Sequence, residues 1–175
     1  TGENIDVEFK SRVEGVKQED FVACANSENG GVMLLGIDEE ETPEGQRGVI
    51  VGCTISDKSK LSLVNKAESC YPPIDIKIVI ENGESDKPFF RVDIASGINK
   101  PYCTHKGIYN IRGNGRNIPL LPSRLLSMFL ENEGNQFINR FENATNDMSA
   151  NLYSLQAKVF GLEELLGAIW GSAEE

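Results

Sequence analysis

The sequence is poor in the residue types that build several common functional sites. His105 is the only histidine in 175 residues, and the cysteines Cys24, Cys53, Cys70 and Cys103 lie far apart. A structural zinc site needs clustered Cys and His ligands, and a disulfide framework needs dense cysteines, so neither is expected. There is no GxxxxGK[ST] or GxSxG motif, which excludes a P-loop nucleotide site and a hydrolase nucleophile elbow.

Long apolar runs are also absent. The longest lies around residues 32–35 and 37, far short of the roughly 20 residues that a membrane-spanning helix needs. The chain does not open on a basic segment followed by an apolar one, which is the pattern of a secretory signal. These features predict a soluble cytoplasmic protein without a membrane partner.

Acidic residues outnumber basic ones, 27 against 17, for a net charge of -10. This excess argues against coating nucleic acid by bulk electrostatics. The charge is uneven: residues 1–130 carry 19 acidic and 15 basic side chains, and residues 131–175 carry 8 and 2. All seven prolines precede Ser123. We therefore predict a turn-rich domain over residues 1–130, followed by an oligomerisation helix over residues 135–171.

The first part has the pattern of an α+β domain with a mixed, mostly antiparallel sheet and two to three helices. Alternation of Ile5, Val7 and Phe9 with polar residues predicts a half-buried strand that has Glu8 and Lys10 on its outer face. The acidic run at residues 39–41 has the pattern of a solvated loop. Further strands are expected at residues 32–37, 48–52, 74–80, 88–94 and 107–112, and the strands at 74–80 and 88–94 should pair as a hairpin across a polar turn. Helices are expected at 16–27, 57–70 (capped by Ser56) and 123–130.

The tail repeats apolar residues every three and four positions. Nine of the ten seam positions are apolar, which predicts a left-handed coiled coil and hence a homo-oligomer of undetermined number. The alternative is a single amphipathic helix that packs on its own domain. The seam comprises Ile138, Phe141, Thr145, Met148, Leu152, Leu155, Val159, Leu162, Leu166 and Ile169.

Three carboxylates are expected near one edge of the sheet. Glu3 and Glu8 belong to the first strand region, and Asp38 follows the buried strand. Hard cations such as Mg²⁺ or Mn²⁺ prefer oxygen ligands, and a bound ion can activate water for phosphodiester hydrolysis. Lys10, beside Glu8, could contact a phosphate.

A glycine-rich turn offers a second candidate site. Residues 113–115 have the sequence Gly-Asn-Gly and are flanked by Arg112 and Arg116. Backbone N–H groups and two guanidinium groups could receive a phosphate there. An ordinary hairpin turn with solvated arginines fits the same spacing equally well.

Three blocks together resemble the Schlafen-type AlbA-like domain: ENIDVEFK at residues 3–10, ACAN with GGVMLLGID at 23–26 and 30–38, and GIYNIRG at 107–113. The resemblance implies an α+β domain that is associated with DNA or RNA binding. In Schlafen nucleases, three carboxylates at the matching motif positions form a ribonuclease site, which here implies Glu3, Glu8 and Asp38. Those nucleases pair two lobes and carry a Cys/His zinc site, whereas this chain has one lobe and no clustered zinc ligands.

The leading hypothesis is a homo-oligomeric nucleic-acid-processing protein. It would be a divalent-metal-dependent endonuclease, with RNA favoured over DNA, in which the three carboxylates are catalytic residues and ligands of Mg²⁺ or Mn²⁺. Lys10, Arg112 and Arg116 would grip the nucleic-acid backbone. One alternative is a non-catalytic DNA- or RNA-binding regulator or defence-system component. Another is a structural assembly protein.

Overall fold

A computed structural model describes residues 6–43, 45–113 and 115–171, and for residues 45, 46 and 167–171 it describes the backbone alone. The chain divides into two compact units, the first ending at Phe129 and the second beginning at Leu130. We call the first unit the lobe. The described residues form the strands β1 (Val7–Lys10), β2 (Gly31–Leu35), β3 (Ile37–Thr42), β4 (Gly45–Ile50), β5 (Ile76–Glu81), β6 (Phe89–Ile94), β7 (Asn110–Gly113) and β8 (Arg116–Pro119), and the helices α1 (Gln18–Asn26), α2 (Asp57–Glu68) and α3 (Pro122–Gly171).

A four-stranded sheet in the order β1-β2-β6-β5 forms the centre of the lobe. β1 runs parallel to β2, whereas β2, β6 and β5 pair antiparallel. β3 pairs with β4 and β7 with β8, each as a two-stranded antiparallel sheet. The expected α+β class with mostly antiparallel strands is confirmed, as is the hairpin that joins β5 to β6.

Helices α1 and α2 pack into one hydrophobic core with the sheet. The N-terminus of α2 is capped as predicted, because the backbone N–H of Ser59 donates to Ser56 Oγ at 3.1 Å. At α1, the backbone N–H of Lys17 donates to Asp20 Oδ2 at 2.8 Å. Both helices therefore satisfy orphan N–H groups at their first turns. The largest fully buried apolar side chains are Phe21, Phe90, Met33, Leu35, Leu63, Val16, Val22 and Val92.

The predicted strand over residues 32–37 is in fact two strands. Gly36 has a φ of +108°, a conformation that side-chain-bearing residues rarely adopt, and a Cβ there would lie 2.9 Å from the backbone carbon of Gly52. The chain turns at this glycine, and β3 leaves to pair with β4. The expectation of a loop at residues 39–41 is therefore wrong: these acids lie on β3 and are exposed.

The predicted facing of β1 is also wrong. In the sheet register Glu8 is opposite Met33, which is opposite Val92, so the three side chains share one face. Met33 and Val92 are fully buried core residues, and Glu8 is buried with them. Phe9 points to the other face, where the β3–β4 hairpin covers it: a Cβ on Gly48 would come within 2.8 Å of the Phe9 ring.

Helix α3 is continuous from Pro122 to Gly171, so the expected short helix at residues 123–130 is only its first part. A proline in the first turn suits a helix start, because the missing N–H would have no partner there. Every side chain described from Phe137 to Leu166 is exposed. No helix in the described ranges is long and apolar enough to cross a membrane.

Candidate nucleic-acid interface

A buried ion pair between Glu8 and Arg112 lies at the centre of the candidate site. The side chains are 8% and 1% exposed, respectively, and Arg112 Nη1 donates to Glu8 Oε2. Lys10 Nζ donates to the other oxygen, Glu8 Oε1, and its side chain is 27% exposed. One buried carboxylate is therefore balanced by two cations, as a charge in a protein interior must be.

Arg112 is held from several sides. Its backbone N–H donates to Ser27 Oγ at 3.2 Å, which ties β7 to the end of α1. Its guanidinium donates to the Val7 carbonyl and to Asn117 Oδ1, both at 3.2 Å. Arg112 therefore joins β1, α1 and β8 at one point. A rigid guanidinium fork can make several such bonds without losing its ion pair.

Asp20 extends this network to the start of α1. Asn117 Nδ2 donates to Asp20 Oδ1 at 2.7 Å, while Asn117 Oδ1 accepts from Arg112. Burial raises the pKa of Asp20, and the hydrogen bond from the Lys17 backbone opposes that shift. Sequence reasoning missed both Asp20 and Asn117. An acid at the third residue of a helix is a capping signal, but nothing local marks Asn117.

Asn26 supports the network from behind. Its Nδ2 donates to the carbonyls of Tyr102 and Asn110 at 2.9 and 2.8 Å, and its Oδ1 accepts from the Tyr102 backbone N–H at 2.7 Å. A single side chain thus fixes a loop and the start of β7 against α1. Asn26 belongs to a block of family resemblance that predicts no role for it, and in the structure its side chain clamps two backbone segments.

Two of the four cysteines, Cys24 and Cys70, are buried in the core of the lobe. Burial raises the pKa of Cys24 and of Cys70 to about 12, so neither thiol is a ready nucleophile at neutral pH. Cys24 lies directly under Gly31, where a Cβ would come within 2.6 Å of its sulfur. Because α1 approaches β2 this closely, position 31 requires a residue without a side chain.

The three predicted metal ligands have different environments. Glu3 lies outside the described residues. Asp38 is exposed on β3 and accepts the backbone N–H of Glu39 at 3.1 Å, and it lines a cavity of about 470 Å³ together with Arg12. Both oxygens of Glu8 already face cations. Within the described ranges, no group of three His, Cys, Asp or Glu side chains could hold a metal ion. These donors as placed do not fit a divalent cation, and the triplet with Glu3 stays a prediction.

The predicted backbone-gripping residues also differ in access. Arg112 is buried, Lys10 is partly exposed and bound to Glu8, and Arg116 is exposed at the start of β8. Asn114, in the middle of the predicted phosphate turn, lies outside the described residues. Arg12 and Lys17, which no sequence motif marked, are exposed in the segment between β1 and α1. Arg12, Lys17 and Arg116 make no ion pair with any other residue that the structure describes.

Comparison with solved structures found similar chains. The N-terminal domain of a RecG-related protein from Nitrosomonas europaea is 22% identical, with a TM-score of 0.49, over 69% of this chain and 87% of that one. A protein from Corynebacterium diphtheriae is 16% identical, with a TM-score of 0.43, over 66% of this chain and 25% of that one. The search of curated proteins found no match. The family model described as "Schlafen, AlbA_2" matches residues 3–121. That match covers well over half of the sequence and confirms the resemblance, so the chain belongs to the Schlafen, AlbA_2 family, which is associated with nucleic-acid binding and processing.

Proposed function

We propose that the lobe binds nucleic acid and that α3 joins lobes into a homo-oligomer. The observation that carries the proposal is the contrast between buried acids and free cations around the Arg112 network. Glu8 and Asp20 are buried and hydrogen-bonded within the lobe, whereas Arg12, Lys17 and Arg116 are exposed. A phosphate that approaches Lys17 or Arg116 meets a cation beside a member of this network, Asp20 or Asn117, that is already hydrogen-bonded within the lobe.

The overall negative charge does not oppose such a local site. Of the net charge of -10, the part contributed by residues 1–130 is -4, from 19 acidic and 15 basic side chains. At physiological salt the Debye length is about 8 Å, so acids elsewhere on the surface are largely screened. The expected complex is small and strongly dependent on salt, because it relies on a few cation–phosphate contacts.

In this proposal the three predicted cations have separate roles. Arg116 contacts the phosphate backbone of the nucleic acid, and Arg12 and Lys17 make further contacts with that backbone. Lys10 contributes its partly exposed ammonium group. Arg112 is a positioning residue: its buried guanidinium holds β7 and β8 in place through Asn117 and so sets where Arg116 projects.

Salt-dependent binding tests this function directly. Fluorescence anisotropy with labelled single-stranded RNA and DNA should give a dissociation constant that rises with salt. Arg116→Ala should weaken binding and reduce the slope of log K against log salt by about 0.7, the value for one lost contact with a single strand. Arg140→Ala removes the same charge from α3 and should leave the slope unchanged. Equal slopes for wild type and both variants would refute an interface at Arg116.

A metal-dependent endonuclease is the second proposal. It places Mg²⁺ or Mn²⁺ at Glu3, Glu8 and Asp38, favours RNA over DNA, and draws support from the family resemblance and from the exposed position of Asp38 at the cavity wall. Glu8 would first have to release Arg112 and Lys10.

Cleavage assays separate the two proposals. Single-stranded RNA, transfer RNA and DNA are incubated with Mn²⁺ and wild type, Asp38→Asn or Glu39→Gln. Asp38 and Glu39 are exposed neighbours on one strand, so neither change should affect folding. Cleavage that is lost only in Asp38→Asn would support the nuclease. Binding without cleavage in the wild type, or equal cleavage by all three proteins, would remove it.

A further inference from the structure

We infer that α3 pairs with α3 of a second copy in parallel and in register. This inference rests on the self-association in the proposed function and adds the orientation of the partner. The occupant of the exposed face of α3 is thus the same face of another copy.

The seam is continuous over the four heptads between residues 138 and 166, and it is exposed along that whole length. Every member described between residues 138 and 166 is exposed, the apolar ones by 52% to 64%. A helix with such a stripe reaches its lowest free energy when a matching stripe covers it. The second copy supplies a stripe of identical length and spacing.

Thr145 is the one polar member of the seam, and it is compatible with burial. Its Oγ1 donates to the carbonyl of Phe141 at 2.9 Å, so the hydroxyl is satisfied within its own helix. Its methyl group can then face the partner. No unpaired polar group is left in the seam at this position, which removes the usual cost of a polar residue there.

The charges beside the seam favour the parallel arrangement. Lys158 precedes the seam residue Val159, and Glu163 follows the seam residue Leu162. In a parallel pair, these two flanking positions, five residues apart in sequence, meet across the interface. Lys158 of each copy then lies beside Glu163 of the other. Neither residue has an oppositely charged side chain three or four positions away on its own helix, so both charges are available to the partner.

An antiparallel pair creates the opposite situation. When the seam is kept closed, Leu152 lies opposite Leu155 of the second copy. Glu142 then flanks Glu163 of the second copy, and symmetry repeats this contact on the other side. Two like-charged pairs replace two attractive ones, and Lys158 faces no acid. The same sequence therefore disfavours the reversed orientation.

A parallel arrangement has a consequence for binding. Because the lobe precedes residues 130–171 of α3 in the chain, parallel helices bring the lobes of both copies to the same end. One nucleic-acid strand could then engage more than one lobe, and the second contact would be effectively intramolecular.

Charge reversal distinguishes the orientations by the sign of its effect. Sedimentation equilibrium of the full chain at low salt, without nucleic acid, gives the dissociation constant for self-association. Glu163→Lys should raise it on the order of tenfold, because it turns two attractive pairs into repulsive ones. Adding Lys158→Glu to Glu163→Lys should restore the wild-type value. Glu164→Lys, one residue further and away from the seam, makes the same charge change and should have little effect.

Three results would overturn the inference. Tighter association of Glu163→Lys relative to Glu164→Lys would indicate antiparallel helices. Failure of the double variant to recover would show that Lys158 and Glu163 do not meet. A wild type that stays monomeric at all concentrations would remove self-association itself. Nucleic-acid binding by the lobe is read separately from the Arg116→Ala slope, so it can stand or fall without this result.

Discussion

Glu8 and Arg112 form a buried ion pair, and the loss of one member has a different effect on stability from the loss of both. Replacing both by apolar groups is often neutral, but removing one leaves a charge in the interior without its partner. Here Lys10 would still neutralise part of the Glu8 charge, but the bonds from Arg112 to Val7 and Asn117 would be lost as well. The pair therefore matters most for the arrangement of β1, β7 and β8.

Loss of Arg112 should destabilise the lobe strongly. We expect Arg112→Ala to lower the free energy of unfolding in urea by about 3–5 kcal/mol, the usual result of breaking a buried pair. Arg116→Ala is the matched control. It removes the same group from an exposed position three residues from the end of β7 and should change stability by less than about 0.5 kcal/mol. Similar small effects from both variants would show that the Glu8–Arg112 pair does not stabilise the lobe.

The facing of Glu8 shows the limit of reasoning from local pattern. Alternation along β1 correctly predicts a strand, but the rule that apolar residues face inward assigns the wrong face to Glu8. The error arises because Arg112, 104 positions away in sequence, supplies the partner that makes an inward acid tolerable. No pattern within β1 contains that information. The family motif marked Glu8 as a candidate site residue, but it did not predict the ion pair with Arg112.

At the scale of elements, Gly36 determines where β2 ends and β3 begins. The apolar residues continue smoothly from Val32 to Ile37, so hydrophobicity alone predicts one strand. The left-handed backbone at Gly36 sends the chain into a hairpin with β4 instead. Elements marked by local chemistry, such as the Ser56 cap and the β5–β6 hairpin, were predicted correctly. A break that depends on the close approach of Gly52 was not.

A side chain at Gly36 should therefore be costly. We expect Gly36→Ala to lower the free energy of unfolding by about 1–3 kcal/mol from backbone strain, with crowding against Gly52 added. Gly83→Ala is the control within the same unit. A Cβ there meets only Ile80 Cγ2, at 3.6 Å, which is an ordinary contact. Its effect should lie within about 0.5 kcal/mol of the wild type. Equal stability of the two variants in urea unfolding would contradict this account of the turn.

At the scale of the whole molecule, the net charge of -10 is shared unequally between two parts of the chain that have different proposed roles. Eight acidic and two basic residues belong to residues 131–175, where the proposed role is association. The lobe is closer to neutral and buries some of its acids. A single average charge therefore describes neither part, and an acidic protein can still present a local surface for phosphate.

Association through α3 should strengthen binding only to nucleic acids long enough to reach a second lobe. Leu155→Glu places a charge in the seam, so we expect it to reduce the mass in light scattering to that of a monomer. Its affinity for a short oligonucleotide should match the wild type, while its affinity for a long strand should fall by about 100-fold as avidity is lost. Ala157→Glu adds the same charge on the opposite side of the helix and should retain both the oligomer and the long-strand affinity. If Leu155→Glu is monomeric and binds the long strand as tightly as the wild type does, the lobes act independently and α3 serves another purpose.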